Sequence, residues 1–410
     1  MRLAHLRRVV AGGVALLVVG GTLLLAAVAS GGSFTARAPS SSAPPWLALS
    51  SAPAVYDAAT GYDLWYVPVG ATWTYANGSW SNITPVAGIP RDMGDNVRMV
   101  YDAHDGYVLL FGGAAPARPP AVGEAPLNDS WKFQDGRWTN LTSAVVAAPS
   151  ARNLGLLTYD TADHLVVLYG GFLPGGSPGN VADPNETWTY TAGTWTNATV
   201  PGPPPVYVGQ ATDSLQVLVD DPAAGYVLFY DALGPCPSHN ACPVEWTYHA
   251  GVWTNRTAGP APVPYLPLFV MVTYDTTTGS VLALATCVST AAYACSHSVG
   301  TFVYADGTWT DVTPSSQPTF RFGADSVDDP ADGGVLLAGG CCWGDFSGLN
   351  LPWQDVWVYA HGSWTESEPW GGGTPSWIGN DGSWLAVGIL GSVLVTVVFS
   401  ARSSVPRRPR

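Results

Sequence analysis

The chain has 410 residues, 30 acidic side chains against 16 lysines and arginines, a formal charge of −14 and only 11% charged residues. That length suits a barrel or propeller as one domain, and charge this far below the usual quarter or so leaves Thr, Ser, Asn and Gly to cover much of the surface. Arg2, Arg7, Arg8 and Arg37 precede the main body and Arg402, Arg407, Arg408 and Arg410 follow it, so the stretch between holds 16 − 8 = 8 basic and all 30 acidic residues, a charge of −22; nucleic acid, which needs its phosphates met by clustered Lys and Arg, is excluded as a partner.

Residues 1–30 read as a signal peptide or signal-anchor helix. Val9 to Ala29 carries no charge and is long enough to span a bilayer core, with Arg2, Arg7 and Arg8 ahead of it. The length suits a retained anchor and Ala27-Val28-Ala29 suits a cleavage site, so both stay open. Residues 31–45 form a Ser/Pro/Ala linker with nothing to bury.

Between 46 and 370 one unit returns six times: Tyr-Asp, a short turn, an apolar run, often Gly-Gly, then Trp-Thr-Tyr, a tight turn and Trp-Thr-Asn. The closing Trp falls at Trp80, Trp138, Trp195, Trp253, Trp309 and Trp364, with gaps of 58, 57, 58, 56 and 55 residues. A near-constant period of this length is the mark of one supersecondary unit repeated by stacking or around an axis. Four short strands per unit, separated by turn signals, predict a four-stranded antiparallel meander. Asn77-Gly78, Asp135-Gly136 and Asp306-Gly307 suit the left-handed positions of a two-residue hairpin, and Ala192-Gly193, Ala250-Gly251 and His361-Gly362 suit them less well. A turn centred on Asn77-Gly78 pairs Ala76 with Ser79, Tyr75 with Trp80 and Trp73 with Asn82. The same register makes cross-strand pairs of Phe133/Trp138, Tyr190/Trp195, Tyr248/Trp253, Tyr304/Trp309 and Tyr359/Trp364, which assigns these aromatics to packing rather than to a sugar platform. Asp102, Asp160, Asp220 and Asp275 recur at the end of the first strand and read as turn caps.

With the double glycine after an apolar strand (Gly112-Gly113, Gly170-Gly171, Gly339-Gly340) and the aromatic pair that follows, as in Trp188…Trp195, the chain resembles the Kelch-repeat β-propeller family over about residues 50–368. Unit one has a shortened middle and no double glycine, unit four has Tyr230-Asp231-Ala232 in its place, and unit five has Ala285-Thr286. The resemblance implies an all-β, six-bladed propeller with the first strand of each unit nearest the axis. A seventh blade from 31–50 or 369–383 stays open. The first unit holds its own four strands, so no strand exchange between the chain ends is expected.

Residues 371–382 read as a juxtamembrane linker and 383–400 as a transmembrane helix, on the uncharged run Trp384 to Phe399. The basic tail, 401–410, stays inside by the positive-inside rule, which puts the repeats outside the cell membrane.

Six cysteines come in local couples: Cys236 with Cys242, Cys287 with Cys295, and the adjacent Cys341 and Cys342. In exterior loops these read as disulfides, with the vicinal couple open between a strained bond and two free thiols. Asn77, Asn82, Asn128, Asn140, Asn185, Asn197 and Asn255 head Asn-x-Ser/Thr sequons and are glycosylation candidates. No catalytic, cofactor or metal residue is assigned. There is no Gly-x-Ser-x-Gly elbow, His-Glu-x-x-His or calcium loop, and His239 and His297 with the nearby cysteines do not have zinc spacing. Some Kelch propellers are copper oxidases with paired His and Tyr at the axis, a site this pattern does not assemble. The expectation is a membrane-attached, non-catalytic recognition module for an unknown extracellular protein or glycan, working through variable loops at 114–127, 172–187, 231–245, 286–300 and 341–355. The alternatives are an extracellular glycan-active enzyme or copper oxidase, and a passive envelope component.

Overall fold

The computed structural model describes residues 52–368, apart from the inserts 117–123, 172–184, 205–215, 235–241, 258–265, 289–298 and 341–354 and a handful of positions elsewhere, together with the backbone of 383–390 and 393–400. Six four-stranded antiparallel meanders fill it in chain order. Blade one is β1 (Ala54–Asp57), β2 (Tyr62–Val67), β3 (Ala71–Ala76) and β4 (Ser79–Asn82). Blade two is β5 (Asp95–Asp102), β6 (Tyr107–Pro116), β8 (Ser130–Gln134) and β9 (Arg137–Asn140), with the short β7 (Glu124–Pro126) paired to the end of β6. Blade three is β10 (Leu156–Asp160), β11 (Leu165–Tyr169), β12 (Thr187–Thr191) and β13 (Thr194–Asn197). Blade four is β14 (Gln216–Asp221), β15 (Tyr226–Gly234), β16 (Cys242–His249) and β17 (Val252–Asn255). Blade five is β18 (Leu266–Asp275), β19 (Ser280–Val288), β20 (Val299–Ala305) and β21 (Thr308–Asp311). Blade six is β22 (Asp325–Asp329), β23 (Gly334–Ala338), β24 (Val356–Ala360) and β25 (Ser363–Glu368). The first strands meet in a ring, β1 on β5, β5 on β10, β10 on β14, β14 on β18, β18 on β22 and β22 on β1. The fold is a six-bladed β-propeller whose ends meet by packing, with no strand shared between them among the described residues.

The second strands explain the core. They are apolar on both faces because each is sandwiched between two neighbouring blades. Leu109 and Phe111 face blade three while Val108 and Leu110 face blade one, and the alternation continues around the ring. The result is one apolar cluster per junction, six in all. The predicted cross-strand pairs form in every blade, from Tyr75↔Trp80 to Tyr359↔Trp364. Their ring centroids lie 4.8–5.2 Å apart, a geometry that adds about 0.5–1.5 kcal/mol to simple burial. Both central residues of each hairpin turn have positive φ, Asn77 at 49° and Ala250 at 48° among them, which is the type I′ geometry that matches strand twist.

Three recurrent side-chain devices tie the blades. First, the closing Trp of one blade donates its Nε1–H to the third strand of the blade before: Trp138 to Thr72 (2.9 Å), Trp195 to Ser130 (3.1 Å), Trp253 to Thr187 (2.8 Å), Trp309 to Glu245 (2.9 Å) and Trp364 to Thr301 (2.9 Å). The equivalent place in blade six is Val356, buried in the cluster that joins blades six and one. Second, the Asn-x-Thr after the closing Trp folds back on its own blade. Asn140 Oδ1 accepts the Thr142 N–H (2.8 Å), and Thr142 Oγ1 accepts the Ser130 N–H (3.1 Å). Asn82, Asn197 and Asn255 repeat this, and Asp311 does the same work in blade five, where its Oδ1 accepts the Thr313 N–H (3.0 Å). The turn needs an acceptor oxygen at that position, which Asn and Asp both supply. The recurrence of four sequons therefore has a cause in the fold.

Third, a buried Asp caps each turn between first and second strands. Asp102 Oδ1 accepts from the His104 and Asp105 N–H groups, Asp160 from Ala162 and Asp163, and Asp275 from Thr277. Asp57 and Asp329 do likewise. In blade four the cap is Asp221, which accepts from the Ala224 N–H (3.1 Å), and not Asp220 as the sequence suggests. The doublet Asp220-Asp221 hides a one-residue shift, and only Asp221 lies on the face that turns back over the loop.

The double glycines are structural, as expected. Gly113 has φ 94°, and a Cβ there would sit 2.5 Å from the Met93 carbonyl oxygen. At the far end the structure differs from the sequence reading. Ser383–Leu390 (β26) and Val393–Ser400 (β27) pair as an antiparallel hairpin rather than a helix. A valine-rich run broken by Gly391-Ser392 carries a hairpin signal as well as an apolar one. Among the described residues no helix is long and apolar enough to cross a membrane.

Candidate functional site

An up-down meander puts the first-to-second and third-to-fourth turns of every blade on one face of the disc and the second-to-third connections on the other. The turn face is built for rigidity. Asp105 accepts the Ala192 and Gly193 N–H groups (3.2 and 3.1 Å), Asp163 accepts the Ala250 N–H (2.6 Å), and Asp332 accepts the Asn77 N–H (2.9 Å). Each bond joins the capped turn of one blade to the hairpin turn of the next.

At the axial mouth of that face stand the residues just before the caps: Tyr56, Tyr101, Tyr159, Asp220, Tyr274 and Asp328, one per blade and all partly exposed. Asp220 Oδ2 accepts the Thr161 N–H (3.1 Å), and Asp328 Oδ1 accepts both the N–H and the hydroxyl of Thr276 (3.1 Å each). Burial, only partly offset by these bonds, pushes Asp220 up to about 7 and Asp328 up to about 6. Burial and then nearby aspartates raise all four tyrosines, so the phenols keep their protons at neutral pH. Two residues along each strand the wall becomes mainly apolar, with Ala54, Met99, Leu157, Leu218, Val272 and Ser326 at the next level. The chemistry available at this mouth is two carboxylates that titrate near neutrality among protonated phenols.

The opposite face carries the long connections, and in blades three and six their feet are pinned. Arg152 is fully buried just before β10; its Nη1 donates to the Gly170 carbonyl (2.9 Å) and its Nη2 to Glu186 Oε2 (2.8 Å). Arg321 holds the same place in blade six, bidentate on Asp355 (2.6 and 2.9 Å) with Nη1 also on the Gly339 carbonyl (3.2 Å). Each carboxylate accepts as well from the Trp two residues on, Trp188 (3.0 Å) and Trp357 (2.6 Å). One guanidinium thus fixes the double glycine at one end of the loop and the carboxylate at the other. Sequence reasoning passed over Arg152 and Arg321. Their signal is an Arg eight residues before a capping Asp, matched by Glu or Asp two residues before a Trp.

On this face the blades stop resembling one another. β6 runs on to Pro116 and recruits β7, β15 and β16 continue to Gly234↔Cys242, and β18 and β19 to Leu266↔Val288, while β11 and β23 end at the double glycine.

The sequence-predicted residues fall as follows. Asn77, Asn82, Asn128, Asn140, Asn185, Asn197 and Asn255 are all exposed, Asn77 in a hairpin turn. Cys242 opens β16 and Cys287 lies in β19, but the side chains of all six cysteines lie outside the described residues, as do His239 and His297. His104, His164 and His361 are exposed on turns and His249 is exposed at the end of β16 beside one, as expected. Among the described residues no three His, Cys, Asp or Glu side chains are grouped to hold a metal ion.

No family model and no curated protein matches the chain. Among solved structures it is similar to that of a protein named YjhT, at 13% identity over 77% of this chain and 97% of that one, with a TM-score of 0.50. A fungal alcohol oxidase of the AA5 family in complex with copper aligns at 16% identity over 78% and 66% of the two chains, TM-score 0.39. The β-propeller domain of the Trilobed protease from Pyrococcus furiosus aligns at 10% over 78% and 81%, TM-score 0.40. At this identity the likeness to YjhT concerns the fold alone. The class that fold and repeats define is the six-bladed β-propeller.

Proposed function

We propose that the chain is a non-catalytic recognition module of Kelch type, held at the outer side of the cell membrane and binding a protein or glycan through the loops between second and third strands. The observation that carries this reading is the contrast between the two faces. Turn-face side chains repeat and tie blade to blade, whereas loop-face connections differ from blade to blade, and those of blades three and six spring from feet pinned by Arg152 and Arg321. A rigid scaffold with unlike loops is the usual arrangement for recognition. The charge of −22 between the basic ends favours a neutral or basic ligand. The apolar run 384–399 with the arginines behind it supports a membrane anchor, and the Val9–Ala29 run supports an export signal or second anchor.

The test is the full chain in detergent, probed against arrays of glycans and envelope proteins with turnover and metal assays in parallel. Saturable binding without turnover supports recognition. Stoichiometric copper or substrate turnover supports the enzyme alternative, with Asp220 and Asp328 as the carboxylates to replace; silence in every assay supports a passive envelope role. Protease added to intact cells is expected to remove 46–370 and spare the tail.

A further inference from the structure

One buried position differs in chemical kind between the blades. The second residue of the second strand is Val108, Val166, Val227, Val281 and Val335 in blades two to six, and Asp63 in blade one. Asp63 is 0% exposed, and neither carboxylate oxygen has a hydrogen-bond partner among the described residues. It stands in register with Tyr56 of β1 and Tyr75 of β3, which pack into the cluster between blades six and one, so Asp63 faces that seam. From blade six it meets the charges of Asp329 and Asp328 on β22 and of Asp332 on the turn after it, and among the described residues no Lys, Arg or His acts on it. Burial first, and then Asp329, Asp332 and Asp328, push its carboxyl up to about 9. A carboxylate without a partner is costly to bury, and protonation is the way such a site is tolerated.

The seam is also where the two ends of the ring meet. Among the described residues no strand is shared across it; the apolar cluster of blades six and one closes it, and a bond from the Asn77 N–H to Asp332 links the turns. We propose that the junction of blades six and one is a proton-held latch, shut while Asp63 is protonated and opened by loss of that proton, so that the ring parts there before it unfolds elsewhere. In the open seam water reaches Asp63 and its pKa falls toward the ordinary value of about 4. A pKa raised in the closed form means that closure is strongest below about pH 4 and weakens by up to about tenfold per pH unit above it, and the loss is complete once the pH passes the closed-form value. Asp328 and Asp329, both raised chiefly by burial, act in the same direction. Acid tightens the ring and alkali loosens it.

The experiment is hydrogen exchange by mass spectrometry on the full chain in detergent at pH 5, 7 and 9, corrected for the intrinsic rate. The expected result is that peptides from β2 and β22 lose at least tenfold more protection between pH 5 and pH 9 than those from β11 and β15, where the raised carboxyls of Asp160 and Asp220 set the background. Asp63→Val, which copies the other five blades, should remove most of that excess, leaving what Asp328 and Asp329 contribute. Asp63→Asn should do the same while keeping the shape, which covers the case in which the valine variant fails to fold. Equal pH dependence in every blade, or an excess that survives both substitutions undiminished, overturns the proposal.

Discussion

Replacing Thr187 with valine removes one oxygen from the junction of blades three and four and little else. Thr187 is fully buried, and its hydroxyl accepts the Nε1–H of Trp253 at 2.8 Å. Its backbone N–H and carbonyl stay engaged by Thr199, so β12 keeps its tie to the outer edge of the blade. Valine has nearly the same shape. The indole N–H is then left buried and unmatched, at a cost of about 1–3 kcal/mol, offset by roughly 0.8 kcal/mol for the extra apolar group. A net loss of roughly 0.2–2 kcal/mol, centred on about 1, follows. Unfolding entropy of about 2.1 cal/mol/K per residue over the roughly 320 residues of the propeller comes to about 0.7 kcal/mol/K, so Tm should fall by about 1.5 °C and by up to about 3 °C. Thermal unfolding followed by near-ultraviolet circular dichroism reads this directly. In a Trp253→Phe background the same substitution should cost close to nothing, because the donor is gone. No loss with the indole present, or an equal loss with the indole removed, would refute the claim that Trp-to-hydroxyl bonds hold the blades.

The hairpin turns offer a gain of stability. Ala250 sits at φ 48°, which costs alanine more than asparagine, and its N–H bond to Asp163 is made by the backbone; Ala250→Asn should stabilise by about 0.5–1 kcal/mol in urea unfolding, and a lower midpoint would contradict it. Gly113→Ala forces a Cβ to within 2.5 Å of the Met93 carbonyl and should cost more than about 3 kcal/mol, whereas Gly78→Ala, with nothing within 4 Å of its Cβ, should cost about 1–2 kcal/mol from φ alone; equal midpoints for the two would show that the close approach is unimportant. Gly234 and Cys242 are in register across β15 and β16, and Cys236 follows Gly234 by two residues. Mass mapping without reduction should find Cys236 and Cys242 linked, and alkylation of both as free thiols would exclude it.

The architecture was legible because a two-residue turn dictates register. Once Asn77-Gly78 is the turn, Tyr75 must face Trp80, and a period near 57 residues repeats that pair six times. What stayed hidden links residues far apart or depends on a shift of one. The Trp indole bonds span 63–66 residues between blades, and their acceptor is a Thr or Ser hydroxyl or the Glu245 carboxylate, so no fixed motif marks them. Asp220 and Asp221 are indistinguishable until the turn chooses one. The Asn-x-Thr repeats look like glycan acceptors, and only Asp311, which keeps the turn without the sequon, exposes their structural role. Asp63 occupies a valine position in a strand that is otherwise apolar, a departure visible only when the blades are aligned on their caps.

Where a ligand binds decides between the loop face and the turn face. The direct measurement is the equilibrium Kd of the full chain for a component captured on the arrays, compared between two sets of variants. One set shortens the connections at 235–241 and 289–298 on the loop face; the other places Tyr159→Phe and Asp220→Asn at the turn-face mouth. Recognition through the loops predicts at least a tenfold loss of affinity in the first set and no change in the second. Affinity lost at the tyrosine–aspartate mouth and kept after loop shortening would contradict it.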